Sequence, residues 1–170
     1  MKSFSHYTGL VLGLFGPGSA AENTPKPGDL APLVEGTDQD GNPWKLADRI
    51  GKKRVLLYFY PMDGTSGCTK EACSLRDQMS DFNRGNVEVV GLSFDGPESH
   101  RKFIAKYRLN FPLLSDNDGK ITDAYSARLR PGCDMNRRVS FLIGVDGRIV
   151  HVTDAMEPAV HISEMRTFLT

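Results

Sequence analysis

Cysteine is scarce in this sequence, and neither sign of charge is in excess. Three cysteines in 170 residues are too few to hold a fold together with disulfides, and the odd number leaves at least one unpaired. The formal net charge is zero because 21 basic residues balance 21 acidic ones. Nucleic acids and anionic membranes attract proteins that have a basic surface. We therefore expect neither a nucleic acid nor a membrane as a partner.

Histidines are also few, and they stand far apart along the chain at His6, His100, His151 and His161. A structural zinc site needs four clustered ligands. This spacing provides no such cluster, so we predict no bound metal.

Apolar residues make up 39% of the chain and charged residues 25%, as is typical of a globular domain. A chain of 170 residues is long enough for one well-buried core and too short for two ordinary domains.

The first 21 residues have a composition of their own. Lys2 precedes a mostly apolar stretch over residues 7–15, small residues lead up to Ala21, and the first acidic residue is Glu22. This pattern is typical of an export signal cleaved after Ala21, and the apolar stretch is too short to span a bilayer as a helix. Export would make the protein periplasmic or otherwise exported. The alternative is a flexible extension on a cytoplasmic protein. In both cases the predicted domain is residues 22–170.

Alternation of strands and helices predicts the fold of that domain. Continuous apolar runs over residues 54–60 and 87–93 are typical of strands buried on both faces, and a helical pattern separates them. The other predicted elements are a short hairpin around residues 38–43, helices over residues 97–109, 120–127 and 158–169, a strand over residues 111–114 and a hairpin of residues 139–145 and 148–152. This order predicts an α/β protein with a thioredoxin-like fold, in which helices flank a central mixed β-sheet.

The helix that follows residues 54–60 carries two of the three cysteines, and Gly85 ends it. Thr65 or Ser66 is suited to cap its start, and Glu71 suits its first turn. Its apolar face is formed by residues that recur every three or four positions: Cys68, Ala72, Leu75, Met79 and Phe82.

Cys68 lies in the first turn of this predicted helix. Unpaired backbone N–H groups and the positive end of the helix dipole favour a thiolate there. A thiolate can attack a peroxide oxygen, and the product is a cysteine sulfenic acid. On periodicity alone, however, Cys68 is equally well explained as a small buried apolar side chain.

Cys73 follows five residues after Cys68. In an intact helix that separation corresponds to about 7.5 Å of rise and about 500° of rotation. A disulfide requires Cα atoms within ~7 Å and converging Cβ vectors. If the two cysteines work as a pair, the start of the helix must therefore unwind before they can bond.

A longer pattern around these cysteines resembles the peroxiredoxin family. The family pattern Pro-x-x-x-Thr-x-x-Cys after an aromatic strand is met by Pro61, Thr65 and Cys68. The surrounding residues, Gly-Cys-Thr-x-Glu-Ala-Cys, look like the subgroup called bacterioferritin comigratory protein, or PrxQ. The resemblance extends from about Lys26 to the C-terminus and includes the run that begins at Arg138.

The resemblance implies a role for each of five residues. Cys68 is identified as the peroxidatic cysteine and Cys73 as the resolving cysteine. The Thr65 hydroxyl would hydrogen-bond the peroxide, and Pro61 would shield the thiolate from water. Arg138 would stabilise the thiolate and orient the peroxide oxygens, as a guanidinium beside sulfur can do.

The implied activity is that of a thiol peroxidase. It would reduce hydrogen peroxide and organic hydroperoxides, form an intramolecular disulfide and be recycled by thioredoxin or a glutaredoxin-like dithiol. The resemblance implies no metal, haem, flavin or other cofactor. Members of the subgroup are often monomers, so we expect a monomer.

Other interpretations are open on the sequence. Cys133, in an atypical stretch over residues 128–136, is either an alternative resolving cysteine or a loop cysteine without a role. Arg138 taken alone is a solvated charge at a strand end. A disulfide oxidoreductase of the thioredoxin type needs Cys-x-x-Cys, and a copper-binding module needs Cys-x-x-x-Cys with a histidine. The spacing of Cys68 and Cys73 favours neither.

Overall fold

The computed structural model describes residues 23–169. Residues 1–22, which contain the predicted export signal, and Thr170 lie outside the described residues. The described strands and α-helices follow one another in this order: β1 (Glu35–Thr37), β2 (Pro43–Lys45), β3 (Arg54–Phe59), α1 (Ser66–Asp77), α2 (Met79–Arg84), β4 (Val87–Ser93), α3 (Pro97–Tyr107), β5 (Leu113–Ser115), α4 (Lys120–Ala124), β6 (Val139–Ile143), β7 (Ile149–Asp154) and α5 (Pro158–Arg166).

Five strands form one mixed sheet in the order β5–β4–β3–β6–β7. The central strand, β3, runs parallel to β4 and antiparallel to β6. β5 extends the parallel side of the sheet, and β7 extends the antiparallel side. β1 and β2 pair with each other as a separate hairpin, at the position that the turn residues predict.

Both faces of β3 are buried, which explains its continuous apolar run. On one face, alternate residues from Val55 to Phe59 pack beneath the β1–β2 hairpin and α4. On the other face, alternate residues from Leu56 to Tyr60 pack beneath α1, α2, α3 and α5. The prediction of an α/β protein with a mixed sheet flanked by helices is confirmed.

The helix predicted from Cys68 to Phe82 is two helices, with a break at Gln78. The backbone of Gln78 is not helical (φ −101°, ψ 10°), and its N–H contacts the last carbonyls of α1. Met79 then begins α2, which ends before Gly85 as predicted. The apolar periodicity continues across the break because Met79 and Phe82 still pack on the same core. Periodicity therefore identified the buried face and missed the turn in the backbone.

The structure of residues 23–169 contains no helix that combines the length and the apolar character needed to cross a membrane. Over the same residues, no group of three or more His, Cys, Asp or Glu side chains is arranged to hold a metal ion.

Candidate active site

Cys68 is the third residue of α1, and only 1% of its surface is exposed. It packs in the core beneath the helices, in the same cluster as Ala72 and Leu75. The Thr69 N–H donates to the carbonyl of Thr65 at 2.8 Å, which closes the first turn of α1 beside the thiol. The sulfur thus lies within the first helical turn, where the helix dipole favours an anion.

Strand pairing brings Arg138 to this end of α1. Phe59, the last residue of β3, pairs with Val139, the first residue of β6. Arg138 directly precedes β6. It therefore lies at the end of the strands where β3 ends and the chain continues towards α1. Its Nη2 atom is 3.5 Å from the Sγ atom of Cys68. Arg138 is 7% exposed and is therefore not a solvated charge.

Two further contacts fix the guanidinium of Arg138. Its Nη1 atom donates to the carboxylate of Glu71, and its Nε atom donates to the carbonyl of Met156 at 3.1 Å. The neighbouring Arg137 turns elsewhere and pairs with Asp154. Among these two adjacent arginines, Arg138 is the one beside the thiol.

Glu71 was expected in the first turn of the helix and instead lies in the interior. It is 1% exposed. Burial raises the pKa of its carboxyl from the usual 4.5 to about 7, although Arg138 opposes this rise. The correction has a simple geometric reason, because a residue three positions after Cys68 shares its face of the helix. Sequence reasoning missed Glu71 as a partner of Arg138, and its spacing from Cys68 was the available signal.

Gly67 allows the guanidinium to approach α1 closely. A Cβ atom at this position would lie 3.0 Å from the Nη2 atom of Arg138 and 4.0 Å from Pro158. Any larger residue would press against the group that contacts the thiol. The sequence pattern includes Gly67, but its steric reason was not evident from the sequence.

A second buried pair lies next to Glu71. It consists of His161 on α5 and Ser140 on β6. The Nε2 atom of His161 lies 2.8 Å from the carbonyl of Ala155 and must carry the proton, because a carbonyl only accepts. The Nδ1 atom therefore accepts from the Ser140 hydroxyl at 2.8 Å, and it lies 3.7 Å from Oε1 of Glu71. Burial lowers the pKa of His161, so the ring is neutral beside Glu71. Neither residue was predicted.

Pro61 and Thr65 lie in the loop that leads into α1. Thr65 is exposed and is the N-cap residue of α1, but its side chain makes no capping hydrogen bond. Its Oγ1 atom donates instead to the carbonyl of Met62 at 3.2 Å, so Thr65 occupies the predicted N-cap position without a capping hydrogen bond from its side chain. Pro61 is half-buried.

Cys73 lies on the same unbroken helix as Cys68, is half-buried and is a free thiol. The two cysteines are thus separated by intact helix, as the spacing predicts. Cys133 is also free and half-buried. Its loop is tied to Arg128, whose Nη1 atom donates to the Cys133 carbonyl at 2.8 Å.

Comparison with known proteins assigns the chain to a family. The model of the AhpC/TSA family matches residues 27–152. The chain is a peroxiredoxin of this family. The peroxiredoxin is 42% identical to Peroxiredoxin Bcp of Escherichia coli over 144 residues, which cover 82% of this chain and 92% of that protein.

Solved structures agree with this assignment. The peroxiredoxin is similar to Peroxidoxin BcpB of Mycobacterium tuberculosis, with a TM-score of 0.80 and 32% identity over 85% of this chain and 96% of that one. It is also similar to Peroxiredoxin Q of Xanthomonas campestris, with a TM-score of 0.73 and 26% identity over 80% and 89% of the two chains. The predicted thioredoxin-like fold and the resemblance to the bacterioferritin comigratory protein subgroup are confirmed. Membership of the family makes the protein a thiol peroxidase, with peroxides as substrates and a thiol as reductant.

Proposed function

We propose that this peroxiredoxin reduces hydrogen peroxide and organic hydroperoxides with Cys68 as the attacking thiolate and Cys73 as the resolving thiol. The observation that carries the proposal is the contact of Arg138 with the Cys68 sulfur at 3.5 Å, in the first turn of α1. A fixed positive charge and the helix dipole act on the same atom, and both favour the nucleophilic thiolate.

In the first step, the Cys68 thiolate attacks the terminal oxygen of the hydroperoxide. A sulfur–oxygen bond forms and the oxygen–oxygen bond breaks, so that Cys68 becomes a sulfenic acid and the peroxide leaves as water or an alcohol after taking up a proton. The Thr65 hydroxyl hydrogen-bonds the peroxide, Pro61 shields the thiolate, and Arg138 stabilises the negative charge that moves onto the leaving oxygen.

In the second step, Cys73 attacks the sulfur of the sulfenic acid. A disulfide forms, water is released and the first turns of α1 unwind, because an intact helix keeps the two sulfurs apart. An external dithiol, thioredoxin or a glutaredoxin-like protein, then reduces the disulfide and returns both thiols. Cys133 takes no part in this cycle.

The proposal is tested by peroxide turnover with thioredoxin, thioredoxin reductase and NADPH, for the wild type and for Cys68→Ser, Cys73→Ser and Cys133→Ser. We expect Cys68→Ser to abolish turnover, Cys73→Ser to reduce it strongly and Cys133→Ser to leave it unchanged. Mass spectrometry of the oxidised wild type should show a Cys68–Cys73 disulfide. Full activity of Cys68→Ser would overturn the mechanism, and a large loss in Cys133→Ser would move the resolving role.

Two properties of the whole protein belong to the same proposal. The resemblance to the PrxQ subgroup supports a monomer, for which sedimentation should give one species of about the chain mass of 18.8 kDa or less.

The composition of residues 1–21 supports cleavage after Ala21 during export. Mass spectrometry of the native protein should then find Glu22 at the N-terminus, and a chain beginning at Met1 or Lys2 would refute export.

A further inference from the structure

The loop of residues 61–65 is held from within by a buried carboxylate, that of Asp63. The Oδ1 atom of Asp63 lies 2.6 Å from the Tyr60 hydroxyl. Its Oδ2 atom lies 2.8 Å from the Ser99 hydroxyl and 2.7 Å from Nδ1 of His100. The side chain of Asp63 is 6% exposed and that of His100 is fully buried. No part of the proposed chemistry above uses this network.

The hydrogen-bond partners of the two ring nitrogens indicate that His100 is positively charged. Its second ring nitrogen, Nε2, lies 3.2 Å from the carbonyl oxygen of Leu114, which can only accept a hydrogen bond. Nε2 therefore carries a proton. The Nδ1 atom lies 2.7 Å from the Asp63 carboxylate, much closer than the 3.5 Å to the Tyr60 hydroxyl. An ionised carboxylate also only accepts hydrogen bonds. Both ring nitrogens of His100 then act as donors, and an imidazole that donates twice is an imidazolium.

The surroundings of Asp63 favour its ionised form. Burial, first of all, and the neighbouring Tyr58 and Asp63 raise the pKa of Tyr60 well above 10, so its hydroxyl keeps the proton that it donates to Asp63. The Ser99 hydroxyl supplies a second donor to the Asp63 carboxylate. Two hydroxyl donors stabilise a carboxylate rather than a carboxylic acid. The proton between Asp63 and His100 therefore belongs to His100.

The backbone of Asp63 is anchored as well as its side chain. The Asp63 N–H donates to Oδ2 of Asp95 at 2.9 Å, and the Ser93 hydroxyl donates to the same oxygen at 2.7 Å. The middle of the loop is thus attached to the end of β4, while His100 and Ser99 attach it to α3. Asp63 stands two residues after Pro61 and two before Thr65, so these attachments fix the backbone on both sides.

We propose that His100 is held as an imidazolium by Asp63, and that this buried ion pair positions the loop of residues 61–65 so that Thr65 meets the peroxide attacked by Cys68. Asp63 and His100 are positioning residues. The statement about Thr65 rests on the function proposed above, whereas the charge on His100 does not.

The charge is tested on the wild-type protein by NMR of the histidine side-chain nitrogens at about pH 7.5, where an unperturbed histidine is mostly neutral. We expect His100 to show two protonated ring nitrogens and His161 to show one, and His100→Gln identifies the signal. Asp63→Asn should convert His100 to a neutral ring. A neutral His100 in the wild type would refute the ion pair, whatever the outcome for the peroxidase cycle.

The positioning role is tested by comparing two reactions of Cys68 in Asp63→Asn. Reaction with peroxide needs Thr65 in place, whereas alkylation by iodoacetamide needs only the thiolate beside Arg138. We expect the second-order rate with hydrogen peroxide to fall about tenfold or more, while the alkylation rate changes less than about twofold. Equal losses in both rates, or no loss in the peroxide rate, would overturn the proposal.

Two further variants make this comparison secure. Tyr60→Phe removes one donor to Asp63 and keeps the buried ring, so we expect the same selective loss at a smaller size even where Asp63→Asn folds poorly. Asp77→Asn removes an exposed carboxylate that pairs with Arg76 at the far end of α1, and it should leave both rates unchanged. If Cys68→Ser does not abolish turnover, the proposed peroxidase cycle is refuted, but the charge on His100 measured by NMR is unaffected.

Discussion

At Arg138 one guanidinium contacts a thiol, a carboxylate and a backbone carbonyl at the same time. Because this group stays charged at every relevant pH, the titratable partners beside it are Cys68 and Glu71. When Glu71 is ionised, two anions share one cation. When Glu71 is protonated, the thiolate is the only anion that the guanidinium contacts. The protonation of Glu71 therefore changes the electrostatics at the Cys68 sulfur.

The first prediction concerns the pH dependence of stability at Glu71. In the unfolded chain this carboxyl loses its proton near its ordinary pKa of 4.5, and in the folded protein it keeps the proton up to about pH 7. Between these values the folded state binds more protons, so the free energy of unfolding falls as the pH rises. Glu71→Gln cannot ionise. We expect its free energy of unfolding, relative to wild type, to rise by on the order of 3 kcal/mol across this window.

Urea denaturation at several pH values measures this difference. Glu98→Gln is the matched control, because Glu98 is exposed, pairs with Lys102 and has a lowered pKa. It should show no rise over the same window. A relative free energy for Glu71→Gln that does not change with pH would contradict the prediction.

How far the sequence predicts the site differs from residue to residue. Cys68 is marked by a contiguous pattern that ends a strand and begins a helix. Arg138 lies 70 residues away from it in sequence, and only the family resemblance singled it out. Glu71 was missed although its spacing of three from Cys68 places it on the buried face of α1, and His161 was missed because nothing near it in the sequence marks it as buried. Their partners come from β6 and the residue before it, from α5, and from the loop between β7 and α5, so their burial follows from tertiary packing.

At the scale of the element, α1 holds both cysteines in one helical segment. An exposed residue between them offers a way to change the stability of the helix without touching the site. Lys70 is exposed and lies on α1 between Cys68 and Cys73. Glycine in a helix interior is less favourable than lysine by roughly 0.7 kcal/mol. The segment should therefore unwind more often in Lys70→Gly.

The second prediction follows for the disulfide step. We expect Lys70→Gly to speed the conversion of the Cys68 sulfenic acid to the disulfide about threefold, as that free energy difference implies. Quenched-flow mass spectrometry separates the two species, which differ by one water. Lys102→Gly makes the same change at an exposed site in α3, and the disulfide step should keep its wild-type rate. A threefold change in that control, or none in Lys70→Gly, would count against unwinding as the limiting motion.

Element prediction succeeded where burial follows a simple period and failed where the backbone turns without breaking that period. The strands β3 and β4 were found because both are buried on two faces and read as continuous apolar runs. The division between α1 and α2 was missed because Gln78 interrupts the helix while Met79 and Phe82 continue its apolar face. Strands β1 and β5 have only three residues each, and their exact ends were not predictable.

At the scale of the whole molecule, four helices pack on one face of the sheet. At Gly91 the neighbouring side chains of the sheet leave no space for another side chain. Gly91 on β4 is paired with Tyr58 on one side and Leu113 on the other. A Cβ atom at Gly91 would lie 2.6 Å from Leu113 and 2.9 Å from the ring of Tyr58. Real Cβ atoms do not approach neighbours so closely, so a side chain there would displace one of them.

The third prediction is that Gly91→Ala lowers the free energy of unfolding by about 1–3 kcal/mol, the usual cost of overpacking a core. Urea denaturation of the reduced protein measures it. Gly36→Ala is the matched control, because Gly36 also lies in a strand and its added Cβ would meet neighbouring atoms only at ordinary contact distances of 3.6 Å or more. Its effect should be clearly smaller. Equal effects of the two substitutions would show that the close contacts at Gly91 are relieved without cost.

The proposed cycle, in which α1 opens before the buried Cys68 can bond to Cys73, has a consequence for survival under oxidative stress. In that cycle a Cys68 sulfenic acid stays buried until α1 unwinds. A second peroxide that reached it in that interval would oxidise it further to sulfinic acid, which a dithiol does not reduce. In the proposed cycle, the opening rate of one short helical segment would therefore set the peroxide concentration at which this protein begins to inactivate itself.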